Sequence, residues 1–263
     1  MNYTGRMWRP PSEAKSLIIQ VTVGCSHNKC RFCNMYKEKN FYIKKEEEIK
    51  KDIKESAGYY QDIDRIFLAD GDALIVKFDK LLKILKEINA NFNNLTRISS
   101  YGSPQSILNK SLAELKELRK NGLKMIYLGI ESGSDEILSE VKKGASRSEI
   151  IEASEKLKKA GIINSATIIL GLGGKSKSNL HAAKTASIVN QIEPEYLSAL
   201  TLMLPEDAPM YRDYQNNKFT PLNPYQTVIE LYEIIKRIDV DNKCIFRSNH
   251  ASNYYSIKGT FPD

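Results

Sequence analysis

Residues 17–33 read LIIQVTVGCSHNKCRFC, an apolar, β-branched run that breaks at Gly24 into three cysteines spaced C-x4-C-x2-C. The run from Leu17 to Val23 has strand chemistry, because branched and apolar side chains suit the pleated surface of a covered strand. Further short runs follow at Arg65 to Ala69, Thr96 to Ser100, Met125 to Ile130, Ala166 to Leu170 and Tyr196 to Met203. Longer stretches of helical period separate them. In residues 111–121, for example, Leu112, Leu115 and Leu118 share one face and Gly122 follows as a C-terminal stop. Ser146 is placed to cap a helix that runs to Ala160 and ends at Gly161, and a last helix follows Pro224. This alternation predicts an α/β fold, six βα units sharing a parallel sheet that is either open or closed into a partial (β/α)6 barrel. Both arrangements gather ligands at the C-terminal ends of the strands, and the cysteines stand there.

Composition narrows the function classes. Four cysteines in 263 residues exclude a disulfide scaffold, and no window approaches the roughly 18 apolar residues of a membrane span. Met1 to Ser16 is polar, contains Pro10 and Pro11, and lacks the apolar core of a secretory signal, so a cytoplasmic location with reduced thiols is expected. The excess of 39 basic over 32 acidic residues gives a net charge of +7. Much of it lies in runs such as Lys44 to Lys54, where acids alternate with bases as on a solvated helix face, so nucleic acid is not expected as a partner. No linker or repeat divides the chain. The expected layout is an N-terminal extension (1–15), a catalytic barrel (16–205) and a C-terminal helix and tail (206–263) covering the barrel's open side.

Three thiolates within nine residues can converge on one soft metal centre. A zinc site would want a fourth ligand, such as His27; a four-iron cluster would leave one iron open; unliganded thiols are the third alternative. The strand-end position favours a working cofactor over a stabilising metal.

The loop Cys25, Cys30 and Cys33, with the aromatic Phe32 before the last cysteine, resembles the radical S-adenosylmethionine superfamily. Further stretches stand in the matching order. Ala69-Asp70-Gly71-Asp72-Ala73 is similar to the turn after the second strand whose backbone binds the methionine amino group, although the usual Gly-Gly-Glu here reads Gly-Asp-Ala. Leu128 to Gly133 resembles the motif whose acid contacts the ribose, with Glu131 and Ser132 in it. Lys142 to Arg147 resembles the stretch whose arginine pairs with the methionine carboxylate. Ile168 to Gly174, including Ile169, stands where the adenine packs. The cysteine spacing departs from the usual C-x3-C-x2-C by one residue, which removes no ligand. The resemblance spans about residues 16–205. It implies a [4Fe-4S] cluster on Cys25, Cys30 and Cys33, with S-adenosylmethionine contacted by Phe32, Gly71, Asp72, Glu131, Ser132, Arg147 and Ile169. It also implies an electron donor such as flavodoxin or ferredoxin. The reduced cluster would cleave the sulfonium and a 5′-deoxyadenosyl radical would take hydrogen from a small-molecule substrate.

For the substrate, Asp70, Tyr101, Glu206, Arg247, Asn249 and His250 are the candidates at the expected barrel mouth and in the polar tail. His181 reads as structural and Cys244 as a small buried residue. The compact chain, its cluster spacing and its Lys, Ile and Asn content resemble the lyases that cut the cyclopentene side chain from the deazaguanine base queuine. A coproporphyrinogen-type oxidase and a zinc-stabilised binding module are the alternatives.

Overall fold

The computed structural model describes residues 1–60 and 62–262, so Asp263 at the end of the expected tail lies outside it. The chain divides into two compact units, the first formed by Met1–Asn28, Met35–Leu128 and Glu155–Asn164, the second by Lys29–Asn34, Gly129–Ser154 and Ser165–Asp263.

In the first unit, the strand Leu17–Gln20 pairs in parallel with Arg65–Ala69, and this with Arg97–Gly102. Arg97–Gly102 pairs in turn with the start of Leu123–Glu131, matching Ser99 with Met125 and Gly102 with Leu128. The run Arg65–Ala69 is buried along nearly its whole length, as befits a parallel strand covered on both faces. The helices Glu46–Tyr59 and Phe78–Asn91 pack on each other and bury Ile49, Ile53, Leu81, Ile84, Leu85 and Ile88. The expected strand Leu17–Val23 is shorter than its sequence suggests. Backbone bonds to the neighbouring segment continue, Val21 N donating to Ala69 O at 2.7 Å and Asp70 N to Thr22 O at 3.1 Å, while Thr22 and Val23 also pair antiparallel with Ile43 and Tyr42.

In the second unit, Ile163–Leu170 pairs in parallel with Tyr196–Thr201, which pairs with Cys244–Arg247. The tail is not irregular, as its lack of periodicity suggested. Cys244–Arg247 turns back on Lys258–Phe261 as an antiparallel hairpin. Its turn sits against the carboxyl end of Tyr196–Thr201, where Asn253 donates to Ala199 O at 2.8 Å and accepts from Thr201 Oγ1 at 2.9 Å. The helix Gly174–Ile192 packs on Pro224–Ile235. Ser146 and Glu149 form the expected capping box at the start of helix Arg147–Ala160, and Asn223 caps Pro224–Ile235. Among the described residues no helix is long and apolar enough to cross a membrane.

Candidate functional site

In the first unit, Cys25 lies half-buried on the loop after Val23. The turn after Arg65–Ala69 holds that loop. Asp70 Oδ2 is fully buried and accepts from Lys39 Nζ at 2.8 Å, Gln20 Nε2 at 3.1 Å and the Gly24 amide at 2.9 Å. Gly71 N donates to Gly24 O at 3.1 Å, and a Cβ there would stand 2.6 Å from the Tyr36 ring and 3.0 Å from Cys25 Cβ. Asp72 Oδ2 accepts from Ser26 Oγ at 2.7 Å and Ser103 Oγ at 2.8 Å, so this carboxylate ties the cysteine loop to the third strand's exit. Asp70 therefore anchors the loop from inside; at zero exposure it is no reader of a substrate. Tyr101 stands half-buried in the sheet, edge-on to Phe67 with ring centroids 5.1 Å apart.

The second unit holds Cys30 and Cys33, both half-buried, on the segment Lys29–Asn34. That segment is fixed through its backbone. Arg31 N donates to Val141 O at 2.9 Å and Met210 N donates to Arg31 O at 3.0 Å. Phe32 and Ile169, both expected to contact the cofactor, meet in a single apolar cluster with Ile137, Val141, Leu172 and Met210. Glu131 adopts a left-handed backbone (φ 60°) and its Oε1 accepts from Lys143 Nζ at 2.8 Å. Ser132 is fully buried, and its hydroxyl serves His181 Nδ1 at 2.9 Å and the Ser134 amide at 3.1 Å, an internal role in place of the expected cofactor contact.

Arg147 likewise acts within the fold. Its guanidinium donates to Gly133 O, Lys184 O, Ser187 Oγ and Gln191 Oε1 at 3.1–3.2 Å, clamping the loop after Glu131 onto the helix Gly174–Ile192. The approach is close enough to need glycine, since a Cβ at Gly133 would lie 2.0 Å from Lys184 O. Arg147, expected beside a methionine carboxylate, thus makes this clamp through both terminal nitrogens.

The tail candidates do the same for the hairpin. Arg247 donates to Phe246 O and Gly259 O, and His250 Nδ1 bonds Ser252 Oγ at 2.8 Å, while Glu206 and Asn249 are exposed. These are the backbone partners of a tight turn.

Sequence reasoning missed the group that fixes the loop after Ile163–Leu170. Glu230 is buried, and accepts from the Gly171 amide at 2.6 Å and from Ser178 Oγ at 2.5 Å. His181 Nε2 bonds Ile169 O at 3.0 Å and lies 3.9 Å from Glu230. The signal was present: Glu230 shares the buried face of Pro224–Ile235 with Thr227, Leu231 and Ile234, a carboxylate in an apolar stripe. Burial pushes the Glu230 carboxyl up to about 7 and the His181 imidazole down to about 4. His181 is then neutral, donating from Nε2.

These shifts have opposite consequences. Glu230 has a folded pKa above its usual 4.5, so its contribution is fully present below pH 4.5 and is lost as pH rises through 7. His181 has a folded pKa below 6.5, so its contribution is present above pH 6.5 and is lost as pH falls towards 4. Glu230→Gln keeps both contacts, the amide oxygen accepting from Gly171 and the amide nitrogen donating to Ser178. Its stability relative to wild type is expected to climb between pH 5 and pH 8 by an amount on the order of 3 kcal/mol. Thermal melts of both proteins across that range check this; parallel profiles would refute it.

Among the described residues, no three His, Cys, Asp or Glu side chains are gathered as a preformed metal site. The donor chemistry nevertheless fits an iron–sulfur cluster: Cys25, Cys30 and Cys33 are soft thiols, none in a disulfide and none fully buried.

Residues 19–185 match the family model of the Radical SAM superfamily. Two curated relatives are the heme chaperone HemW of Buchnera aphidicola subsp. Schizaphis graminum (strain Sg) and that of Bacillus subtilis (strain 168). The first is 23% identical over 247 residues, covering 87% of this chain and 63% of the relative. The second is 22% identical over 213 residues, covering 76% and 55%. The chain thus spans less than two thirds of either relative. Among solved structures, coproporphyrinogen III oxidase (HemN) from Escherichia coli, described as a radical SAM enzyme, superposes with a TM-score of 0.62 at 16% identity, covering 84% of this chain and 51% of that one. The shared fold is α/β with a mostly parallel sheet, consistent with the partial barrel expected from the βα repeats.

Proposed function

From the premise that the chain belongs to the radical SAM superfamily, with a [4Fe-4S] cluster and S-adenosylmethionine as its cofactors, we propose that Cys25, Cys30 and Cys33 hold the cluster of a lyase acting on queuine. Family membership replaces the zinc-module alternative. Residues 16–205 carry the cofactor machinery in this reading and 206–263 the substrate side. One observation supports the cofactor assignment above others: Phe32, flanked by Cys30 and Cys33, lies in the same apolar cluster as Ile169. When bound, the cluster supplies the electron that cleaves the sulfonium and yields the hydrogen-abstracting 5′-deoxyadenosyl radical.

The chain's own residues bind and orient. Phe32 and Ile169 give the adenine an apolar wall. Lys143 fixes one oxygen of Glu131, leaving the carboxylate oriented for the ribose hydroxyls, a charge-assisted contact. Asp70, Gly71 and Asp72 fix the loop that carries Cys25. Metal uptake itself draws the thiolates into one site, since a preformed site need not precede the metal.

The cluster spacing and composition support queuine as substrate. Anaerobically reconstituted enzyme with dithionite, S-adenosylmethionine and queuine is expected to form 5′-deoxyadenosine and a shortened deazaguanine base. S-adenosylmethionine cleavage with queuine left intact would sink the lyase. A second reading, a tetrapyrrole ligand, is favoured by the named relatives: two are heme chaperones and a third acts on coproporphyrinogen III. Incubation with heme in place of queuine, followed by the Soret band, tests it.

A further inference from the structure

The second unit contains a cleft of about 600 Å³ that is lined by neither Phe32 nor Ile169, although it shares Val141, Leu172 and Met210 with their cluster. Four cations line it, Arg31, Lys175, Lys177 and Lys218, against the acids Glu140 and Asp213. Its floor is apolar, with Leu172, Met210 and Phe219. Part of the charge is internally balanced. Arg31 pairs with Asp213, and Lys177 pairs with Glu140 and, at 2.7 Å, with Glu136. Lys175 and Lys218 are exposed and have no ionic partner among the described residues, so the face carries surplus positive charge. On the same side, the helix Pro209–Gln215 carries exposed Tyr214, its ring 5.9 Å from that of Tyr211. Arginine and exposed aromatics over an apolar floor, rimmed by lysines, are the make-up of a protein-docking surface.

The position of Arg31 says what such a partner would do. Its side chain lines the cleft, while in the chain it stands next to Cys30 and two residues before Cys33. At 3.8 Å per Cα step, its Cα lies about 4 Å from that of Cys30 and at most roughly 8 Å from that of Cys33. The backbone bonds of Arg31 to Val141 and Met210 build this short segment into the cleft wall. A molecule seated in the cleft therefore rests against the peptide that carries two of the three thiols.

We propose that this cationic cleft is the docking face for a small acidic electron-transfer protein, which delivers there the single electron the cluster requires. The proposal rests on Cys30 and Cys33 being cluster ligands. The balance is simple: the reduced donor loses one electron, the cluster gains it, and no bond forms or breaks in the protein. Charge complementarity decides the occupant. A surplus of lysines raises the encounter rate with an acidic surface, and the attraction is screened by salt.

The test uses the holoenzyme and two probes, a reduced acidic flavodoxin and an acidic [2Fe-2S] ferredoxin. Donor affinity is measured by titration calorimetry at 50 and 300 mM salt, and S-adenosylmethionine cleavage is measured in parallel with dithionite, which needs no docking. The double variant Lys175→Glu/Lys218→Glu is expected to weaken binding of at least one donor about tenfold and to flatten its salt dependence, with the dithionite-driven rate unchanged. A control, Lys116→Glu/Lys120→Glu, makes the same change in net charge on another helix and should leave the affinity near wild type. The proposal is overturned if neither donor binds wild type, if both double variants weaken it equally, or if charge reversal in the cleft leaves it unaltered. Phosphate or citrate displacing the donor at submillimolar concentration would also overturn it, by marking a small-anion pocket. If the donor binds as expected but dithionite drives no cleavage, the cluster assignment falls instead, and electron delivery with it.

Discussion

Cys30→Ala is expected to abolish cluster retention and lower S-adenosylmethionine cleavage more than about a hundredfold, while the apoprotein melts within a degree or two of wild type. The size follows from ligand count. Loss of a mere outer partner of a metal site already lowers affinity or activity about 10- to 100-fold, and the loss of one thiolate of three removes a ligand outright. The unchanged melt follows from packing. Cys30 is half-buried on a segment held by backbone bonds at Arg31. Iron analysis, the charge-transfer absorbance of the reconstituted protein and 5′-deoxyadenosine formation measure it. Retention of about four irons per chain with wild-type turnover would exclude Cys30 as a ligand.

Asp70→Ala carries the largest expected effect on stability. Asp70 and Lys39 form a buried ion pair at 2.8 Å, with side chains 0% and 5% exposed. Removing the carboxylate leaves the Lys39 ammonium buried with its charge uncompensated, and deletes the acceptor for Gln20 and for the Gly24 amide at the entrance to the cysteine loop. Breaking a buried pair from one side costs about 3–5 kcal/mol. For a chain of this size that is a fall in melting temperature of roughly 6–20 °C. Asp70→Asn keeps an acceptor and should fall between the two. A drop under about 2 °C for the alanine variant, measured by calorimetry on the apoprotein, would show that Lys39 is satisfied by its other contact, Arg6 O.

Local chemistry was legible from sequence, and long-range pairing was not. Arg65–Ala69 reads as a strand from its own residues, and Ser146 reads as a cap because capping is settled within four residues. Phe32 and Ile169, 137 positions apart in number, share an apolar cluster that neither residue's local sequence announces. The strand Leu17–Gln20 gives way at Thr22 to a pairing with Tyr42–Ile43, which its own residues do not encode. The hairpin strands CIFR and KGTF are too short to display a period of two. Arg147 illustrates the limit for site residues: three groups that its guanidinium donates to, Lys184 O, Ser187 Oγ and Gln191 Oε1, come from 37 to 44 residues away. Glu230 was the readable omission, because an acid among Thr227, Leu231 and Ile234 has no solvent to face.

The hairpin bears on behaviour at high concentration. Lys258–Phe261 is the last strand of its sheet and pairs on one side only, with Cys244–Arg247. A free strand edge is a template on which a second chain can assemble. This one is four residues long, opens on a charged lysine and is followed at once by Pro262, which has no N–H to offer an incoming strand. The protein's most extended backbone edge in this unit is thus guarded against sheet-to-sheet association. Pro262→Thr together with Lys258→Val should make concentrated solutions scatter light and bind thioflavin where wild type stays clear.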